Sequence, residues 1–405
     1  MSPKTMLNDK LLQVALIGVV LMAIGVASVQ PFQSIIGIER IGFSDAAFAL
    51  IITCGAAISV AASVTAGIYT DQTGKFRTAL QCALLIGMSG GLLMFIAPSK
   101  VAFIIVHVIL FPAGATAFTQ YFAIATVAAN ENPALNRAST TAFVRAAFSA
   151  AFALTPVAWG YALAKGVDLL TAYAIVAAAN LIAFIVISRL WSSSRRLEVT
   201  GTSGKGFFAS LSELTDRGLL VRLALICVIS ASNALYNILL GLLILNNLGG
   251  AEPDVAVFAG VIAFIEIPVM ILIVRCLNYV SQSFLIMVGV FIYGGFLAVL
   301  GLLPSMTFAW WLTLPAGIGA GILLSIPIGY IQGLLADRAG AGSALLSVNH
   351  FGGMIFASTV FALGTSFTGY EGVAIIGSSL AITASIALYV LDRRKLVRIK
   401  AADQN

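Results

Sequence analysis

The chain has 405 residues, of which 60% are hydrophobic and only 9% are charged, and its formal net charge is +6. A soluble domain carries about 25% charged residues, so this composition is typical of a membrane protein and excludes an ordinary soluble fold. The two histidines and four cysteines are too few for a metal framework or a disulfide scaffold. We therefore expect no metal, no cofactor and no nucleic-acid partner.

Apolar stretches of about 20 residues, the length of a transmembrane helix, recur along the whole chain. The predicted spans are 11–37, 46–69, 78–97, 101–127, 140–164, 169–190, 219–246, 254–274, 284–303, 307–335, 343–367 and 371–391. Only helices or closed barrels satisfy the backbone in lipid, and these runs do not alternate as barrel strands do. The sequence therefore predicts an all-α membrane protein with twelve transmembrane helices.

The distribution of Lys and Arg predicts how these helices cross the membrane, because cytoplasmic loops carry an excess of positive charge. A cytoplasmic N-terminus leaves only Arg40, Lys100 and Lys165 on the opposite side. Both termini are then cytoplasmic, and the C-terminus is a basic tail. Because six spans precede the polar segment 191–218 and six follow it, we expect two pseudo-symmetric six-helix bundles. Their bounds are 1–190 and 219–405, joined by a cytoplasmic linker, although a long loop between unrelated helices is the alternative.

A polar segment, GIYTDQTGKFR, joins the second and third spans from Gly67 to Arg77. We expect a tight cytoplasmic turn in which Gly74 takes a left-handed conformation and Asp71 accepts hydrogen bonds from amides at a helix start. An ordinary polar turn is the alternative. The spacing G-x-x-x-D-x-x-G-[KR]-x-[KR] resembles the loop signature of the major facilitator superfamily. The resemblance implies that Asp71 takes part in conformational gating.

Several short segments resemble one branch of that superfamily, the bacterial sugar efflux transporters. They are Val29-Gln-Pro31, Val144-Arg-Ala-Ala-Phe-Ser149, Ser232-Asn-Ala-Leu-Tyr236, Glu266-Ile-Pro268, Tyr330-Ile-Gln332 and Asn349-His-Phe-Gly352. The resemblance implies the major facilitator fold, with the first, fourth, seventh and tenth helices lining a central cavity. It also implies sugar export.

Neutral polar side chains within the spans are the candidate substrate contacts, because amides and phenols match the hydroxyls of a sugar without fixed charge. They are Gln30, Gln33, Gln120, Asn233, Tyr236, Asn237, Gln332 and Asn349. The alternative role for each is an interhelical hydrogen bond, worth on average about 0.6 kcal/mol in a membrane.

Ionisable side chains inside spans are costly and therefore candidates for coupling or gating. Glu266 and Arg145 lie at similar predicted depths, and we expect them to pair across the two halves. Glu266 is the carboxylate through which any proton coupling would pass. His350 joins this set, whereas His107 is equally well explained as a neutral packed histidine.

These patterns predict a secondary active transporter, with no catalytic residues, that exports a sugar or sugar derivative by alternating access. We expect a monomer surrounded by lipid in the bacterial inner membrane, and proton antiport is left open. The main alternative is a carrier, in either direction, of another small metabolite such as a siderophore, drug or peptide. A polytopic membrane transferase, a channel and a scaffold are weaker alternatives, since the chain lacks clustered acids, bases or metal ligands and sizeable loops.

Overall fold

The structure is a computed structural model of the chain, and it describes residues 9–131, 137–191, 217–277, 279–334 and 339–402. Helices make up almost all of this described part, which contains no strand. Residues 192–216, within the predicted linker, lie outside the described residues. The same is true of Arg338 and of the side chains of Asp71 and Gln332.

The first half of the chain contributes six long helices among the described residues. They are α1 Lys10–Val29, α2 Asp45–Thr73, α3 Phe76–Ile96, α4 Lys100–Glu131, α5 Arg137–Ala164 and α6 Thr171–Leu190. Beyond α1 the chain continues as a 3₁₀ turn, Gln30–Phe32, and a π-helical segment, Ile35–Arg40. A second π-helical segment, Ile105–Leu110, lies within α4.

The described part of the second half also contains six long helices. They are α7 Arg217–Asn246, α8 Glu252–Cys276, α9 Gln282–Leu300, α10 Thr313–Leu334, α11 Ala339–Gly364 and α12 Tyr370–Ala402. Two short helical turns, Met306–Ala309 and Trp310–Leu312, lead into α10.

Eleven helices in the described part are long and apolar enough to cross a membrane, and the described apolar stretch of α11, Val348–Gly364, is shorter. The prediction of an all-α membrane protein is confirmed. The last helix differs from its prediction, because α12 runs to Ala402 rather than ending near residue 391. Hydropathy indicates where a span leaves the apolar layer, whereas the following Arg, Lys and Leu residues are good helix formers that prolong the helix.

The chain divides into two compact units, Met1–Gly204 and Lys205–Asn405. In the first unit α1 packs against α4, α5 and α6, and α3 packs against α6. In the second unit α7 packs against α11 and α12, and α9 packs against α12. The corresponding helices of each unit therefore share one packing pattern, as expected for a repeat of six helices.

Small residues allow several of these helix pairs to approach closely. A Cβ atom on Gly91 of α3 would lie 2.6 Å from the backbone oxygen of Tyr173 on α6. In the second unit, a Cβ atom on Gly352 of α11 would lie 2.7 Å from Cys227 Sγ on α7. Backbones that approach this closely gain the van der Waals contact that drives helix association in lipid.

The turn between α2 and α3 is shorter than the sequence predicts. Helix α2 continues through Thr73, so Asp71 lies in its last turn, and only Gly74 and Lys75 separate the two helices. Gly74 adopts the predicted left-handed conformation, with φ of 65°, and its N–H donates to the carbonyl of Thr70 over 2.8 Å. This glycine ends the helix because only a residue without a Cβ atom takes that conformation freely.

Candidate polar site in the transmembrane helices

Helix α10 of the second unit lies between α8 and α9 because glycines face both neighbours. A Cβ atom on Gly317 would lie 2.5 Å from Ile265 Cβ, and one on Gly321 would lie 2.8 Å from Val269 Cβ, both on α8. Gly319, on the opposite side of α10, packs in the same way against the backbone of Tyr293 on α9. The glycines thus bring α8 and α9 to fixed positions on either side of α10.

This packing positions a cluster of polar and aromatic side chains beside α7. The hydroxyl of Tyr293 donates to Oδ1 of Asn233 over 3.2 Å. The ring of Tyr236 lies 5.9 Å from the ring of Tyr293 and 5.9 Å from that of Phe296, measured between centroids. Asn233 and Tyr236, which are three residues apart and so share a face of α7, therefore contact the same tyrosine. Tyr293 itself was missed by the sequence analysis.

Glu266 on α8 belongs to the same region of the second unit. Its carboxylate is close enough to interact electrostatically with the phenols of Tyr236 and Tyr293. The side chain is partly exposed rather than buried. An acidic group beside phenols and a carboxamide gives the cluster both hydrogen-bond donors and acceptors.

Two other predicted amides bond within the second unit. Asn237 donates from Nδ2 to the backbone oxygen of Asn233, one turn earlier in α7, over 2.9 Å. Asn349 on α11 donates from Nδ2 to the hydroxyl of Ser230 on α7 over 3.0 Å. The latter contact is the interhelical hydrogen bond that the sequence analysis gave as the alternative to substrate binding, and it ties α11 to α7.

In the first unit, Gln33 bonds His107, which in turn bonds Tyr173, and the sequence analysis did not connect these residues. Gln33 Nε2 lies 2.9 Å from Nδ1 of His107, whose Nε2 lies 2.8 Å from the hydroxyl of Tyr173. The histidine and the tyrosine are buried, whereas Gln33 is partly exposed. The packed role that the sequence analysis considered for His107 therefore includes a specific hydrogen bond to a candidate substrate contact.

The other two candidate glutamines of the first unit have different surroundings. Gln30 lies in the 3₁₀ turn after α1 and is partly exposed, and no described side chain hydrogen-bonds its carboxamide. Gln120 on α4 is buried, with 4% of its surface exposed, and neither its Oε1 nor its Nε2 has a partner in the described part of the chain. A buried amide without partners is costly, so Gln120 is suited to receive a water molecule or a ligand group.

Arg145 on α5 and His350 on α11 both have exposed side chains. The expected pairing of Arg145 with Glu266 stays a prediction, because the two residues belong to different units. Within the described part of the chain, no group of three His, Cys, Asp or Glu side chains could hold a metal ion.

The second unit also contains a charged cluster that the sequence analysis missed. Arg222 Nε on α7 donates to Oδ1 of Asp392 on α12 over 2.8 Å. The hydroxyl of Tyr330 on α10 donates to the other carboxylate oxygen of Asp392 over 2.9 Å. The sequence analysis counted Arg222 only among the Lys and Arg residues of the cytoplasmic side. The sequence signal that could have revealed this cluster is an acidic residue, Asp392, directly before the three basic residues 393–395 of α12.

Comparison with known proteins assigns this arrangement to a family. The sequence profile of the Major Facilitator Superfamily matches residues 15–358. The chain belongs to this superfamily. The resemblance noted in the sequence and the predicted fold class are thereby confirmed.

Two curated relatives of this superfamily member carry names of sugar transporters. A putative sugar efflux transporter of Deinococcus radiodurans is 22% identical over 392 residues, which cover 94% of this chain and 98% of the relative. Sugar efflux transporter A of Dickeya chrysanthemi is 24% identical over 348 residues, covering 84% of this chain and 85% of the relative.

Solved structures of transporters share the fold of this superfamily member at low sequence identity. A point mutant of the nucleoside transporter NupG has a TM-score of 0.80 at 11% identity, and the match covers 95% of this chain and 100% of the NupG chain. A POT family transporter in complex with a thioalcohol-conjugated peptide has a TM-score of 0.75 at 10% identity, covering 94% and 96%. The protein is a multi-pass membrane transporter of a small molecule and not an enzyme.

Proposed function

We propose that this transporter exports a sugar or sugar derivative by alternating access. The two curated relatives named as sugar efflux transporters align with most of the chain. The solved neighbours named as nucleoside and peptide transporters support only the fold, because one fold hosts many substrates.

The observation that carries the proposal is the contact between Tyr293 and Asn233 next to the ring of Tyr236. A carboxamide and phenols can donate to and accept from sugar hydroxyls, and an aromatic face packs against the apolar side of a sugar ring. The proposed substrate contacts are Gln30, Gln33, Gln120, Asn233, Tyr236, Asn237, Gln332 and Asn349, to which we add Tyr293. For Asn349 the bond to Ser230 favours a structural contribution.

Coupling and gating form a second part of the proposal. The position of Glu266 beside two phenols within a span supports this part, because an ionisable group inside a span is a functional candidate by default. We propose that export is exchanged for protons through Glu266, with Arg145, His350 and Asp71 acting in gating. We also propose a monomer in the bacterial inner membrane, with cytoplasmic termini and moving bundles 1–190 and 219–405.

The test is a binding and transport assay on purified protein. A thermal-shift screen against sugars, nucleosides, peptides and siderophores identifies ligands, because a ligand that binds the folded state raises its stability. Any hit is then measured for efflux from proteoliposomes with and without a pH gradient. We expect a sugar to stabilise the protein and Glu266→Gln to abolish the effect of the gradient.

Variants of the cluster in the second unit distinguish substrate contact from packing. Asn233→Ala and Tyr236→Phe should each raise the Kd of the sugar by roughly 5- to 150-fold, since a lost buried hydrogen bond costs about 1–3 kcal/mol. Tyr161→Phe is the matched control, because Tyr161 is 70% exposed at the end of α5. Unchanged affinity in both cluster variants would exclude this site, and a hit confined to peptides or nucleosides would replace sugar as the substrate.

A further inference from the structure

Gln33, His107 and Tyr173 form a hydrogen-bonded chain that runs from the core of the first unit toward an accessible side chain. Tyr173 is 0% exposed, His107 is 6% exposed, and Gln33 at the end of the chain is partly exposed. No acidic side chain pairs with His107 among the described residues. This series of hydrogen bonds thus ends in the neutral carboxamide of Gln33, which a ligand could reach.

The ring of His107 is held by packing against three aromatic side chains. It lies tilted against Phe103 at a centroid distance of 4.1 Å and makes edge contacts with Phe111 and Tyr173. Its backbone lies in the π-helical segment Ile105–Leu110, and its carbonyl is the atom against which Gly55 of α2 packs. A glycine at position 55 is required, because a Cβ atom there would collide with this carbonyl.

The backbone around Gln33 also departs from regular α-helix. Gln33 follows the 3₁₀ turn Gln30–Phe32 and precedes the π-helical segment Ile35–Arg40. Single π-helical turns within α-helices occur frequently at functional sites. Here one such segment contains His107 and another begins two residues after Gln33, the residue that bonds it.

The identities of the bonded atoms determine which groups of the Gln33 carboxamide remain available to a ligand. Nε2 of a glutamine is only a donor, so Nδ1 of His107 must be the acceptor and carries no proton. The neutral imidazole then holds its proton on Nε2, which donates to the hydroxyl oxygen of Tyr173. One N–H of Gln33 Nε2 is then bound to the ring, so the groups left for a ligand are the carbonyl oxygen Oε1, which is turned away from the ring, and the second N–H.

We propose that His107 is a positioning residue that makes Gln33 a hydrogen-bond acceptor for a hydroxyl group of the substrate. This inference rests on the proposed function in so far as the substrate is a sugar. It also gives the polar contact in the first unit an orientation, with the carbonyl oxygen of Gln33 as the acceptor. The cluster around Asn233 and Tyr236 in the second unit both donates and accepts.

The tautomer of His107 can be measured without a ligand. The chain has two histidines, so nitrogen NMR of protein labelled at histidine gives two ring systems, and His107→Asn identifies the resonances of His107. We expect an unprotonated Nδ1 and a protonated Nε2, and Gln33→Leu should shift the Nδ1 resonance. A protonated Nδ1 would overturn the proposal, because Gln33 would then present its donor to the substrate.

The effect on recognition is measured with the sugar found in the screen and its monodeoxy analogues. His107→Phe should raise the Kd of the sugar about tenfold, the equivalent of about 1.4 kcal/mol. It should leave the Kd of one deoxy analogue unchanged, because that analogue lacks the hydroxyl which Gln33 accepts. His107→Asn should restore most of the affinity, since its carboxamide oxygen can replace Nδ1 as the acceptor.

Thermal unfolding of both variants without ligand serves as the control for folding. If His107→Phe is as stable as wild type and binds the sugar and every deoxy analogue as wild type does, His107 does not position Gln33. If His107→Phe unfolds, the comparison is made with Tyr173→Phe. This variant should raise the Kd of the sugar by a smaller factor than His107→Phe and leave the Kd of the same deoxy analogue unchanged. Wild-type Kd values for the sugar and every analogue would overturn the proposal. If no sugar binds the wild type, the proposed function fails, and the NMR result alone decides the tautomer.

Discussion

The two units share one helix-packing pattern but hold the corresponding end of each bundle together by different chemistry. In the first unit, where α3 begins and α6 ends, Gln81 Nε2 donates to the hydroxyl of Ser188 over 2.9 Å, and Arg77 reaches the Ser188 carbonyl over 3.4 Å. In the second unit, where α7 begins and α12 ends, Arg222 bonds Asp392 directly. In the first unit the acceptor, Ser188, is therefore neutral in both contacts, whereas in the second unit both partners carry a full charge.

The difference shows that helix packing and polar contacts are separate properties of this fold. Packing follows from where small and apolar residues occur, and both units satisfy it in the same way. A polar contact follows from single residues, and a charged one makes each partner depend on the other, because a lone buried charge is poorly solvated. We therefore expect substitutions at the charged contact of the second unit to lower the free energy of unfolding more than substitutions at the contact of the first unit.

The largest effect is expected at the charged cluster of the second unit. The side chains of Arg222 and Asp392 are 13% and 20% exposed, so Asp392→Ala leaves a largely buried guanidinium without its partner. We expect the free energy of unfolding to fall by about 3 kcal/mol, measured by denaturant or thermal unfolding in detergent. The double variant Arg222→Leu with Asp392→Leu should recover much of this loss, because both charges are removed together. Equal destabilisation in the double variant would contradict this account.

An intermediate effect is expected from glycines at equivalent helix pairs of the two units. In Gly91→Ala the new Cβ atom would meet the backbone of Tyr173 at 2.6 Å and of Ala177 at 2.8 Å, which cannot move aside. We expect a loss of about 2 kcal/mol. Gly294→Ala on α9 is the matched control, because its nearest neighbour is the side chain of Ile382 at 3.3 Å and the nearest backbone atom, the Ser378 oxygen, lies at an ordinary contact distance of 3.6 Å. Alanine in a helix gains about 0.5–1 kcal/mol over glycine, so this variant should be near neutral. Equal stabilities of the two variants would show that α3 and α6 can separate freely.

The smallest effect is expected at the neutral contact of the first unit. Gln81→Ala removes one interhelical hydrogen bond to Ser188, and such bonds contribute on average about 0.6 kcal/mol in membranes. Gln72→Ala provides the comparison, because Gln72 is an exposed glutamine in the last turn of α2. The difference in unfolding free energy between these two variants should stay below about 1.7 kcal/mol, the largest value found for such bonds. A loss as large as that of Asp392→Ala would remove the distinction between the two ends.

The candidate site was predicted in part because some of its members are polar residues within apolar runs. Asn233, Tyr236, Glu266 and Gln33 are of this kind. Tyr293 and Tyr173 were missed because a tyrosine in an apolar helix is most often a packing residue. Nothing in the sequence connects Tyr293 with Asn233, or Tyr173 with His107, 60 or more positions away. Asn349 was identified as polar, but its bond to Ser230 could be found only once α7 and α11 were in contact.

The sequence by itself determined the number, order and approximate ends of the helices and the membership of the superfamily. It did so because spans of about 20 apolar residues, small residues and short motifs act locally, and the lipid requires each span to satisfy its own backbone. Only the tertiary structure decided which polar side chains meet, since these contacts join residues far apart in the chain. The π-helical segment around His107, the glycines of α10 and the pairing of Arg222 with Asp392 all depend on how neighbouring helices pack, and no local pattern encodes that packing.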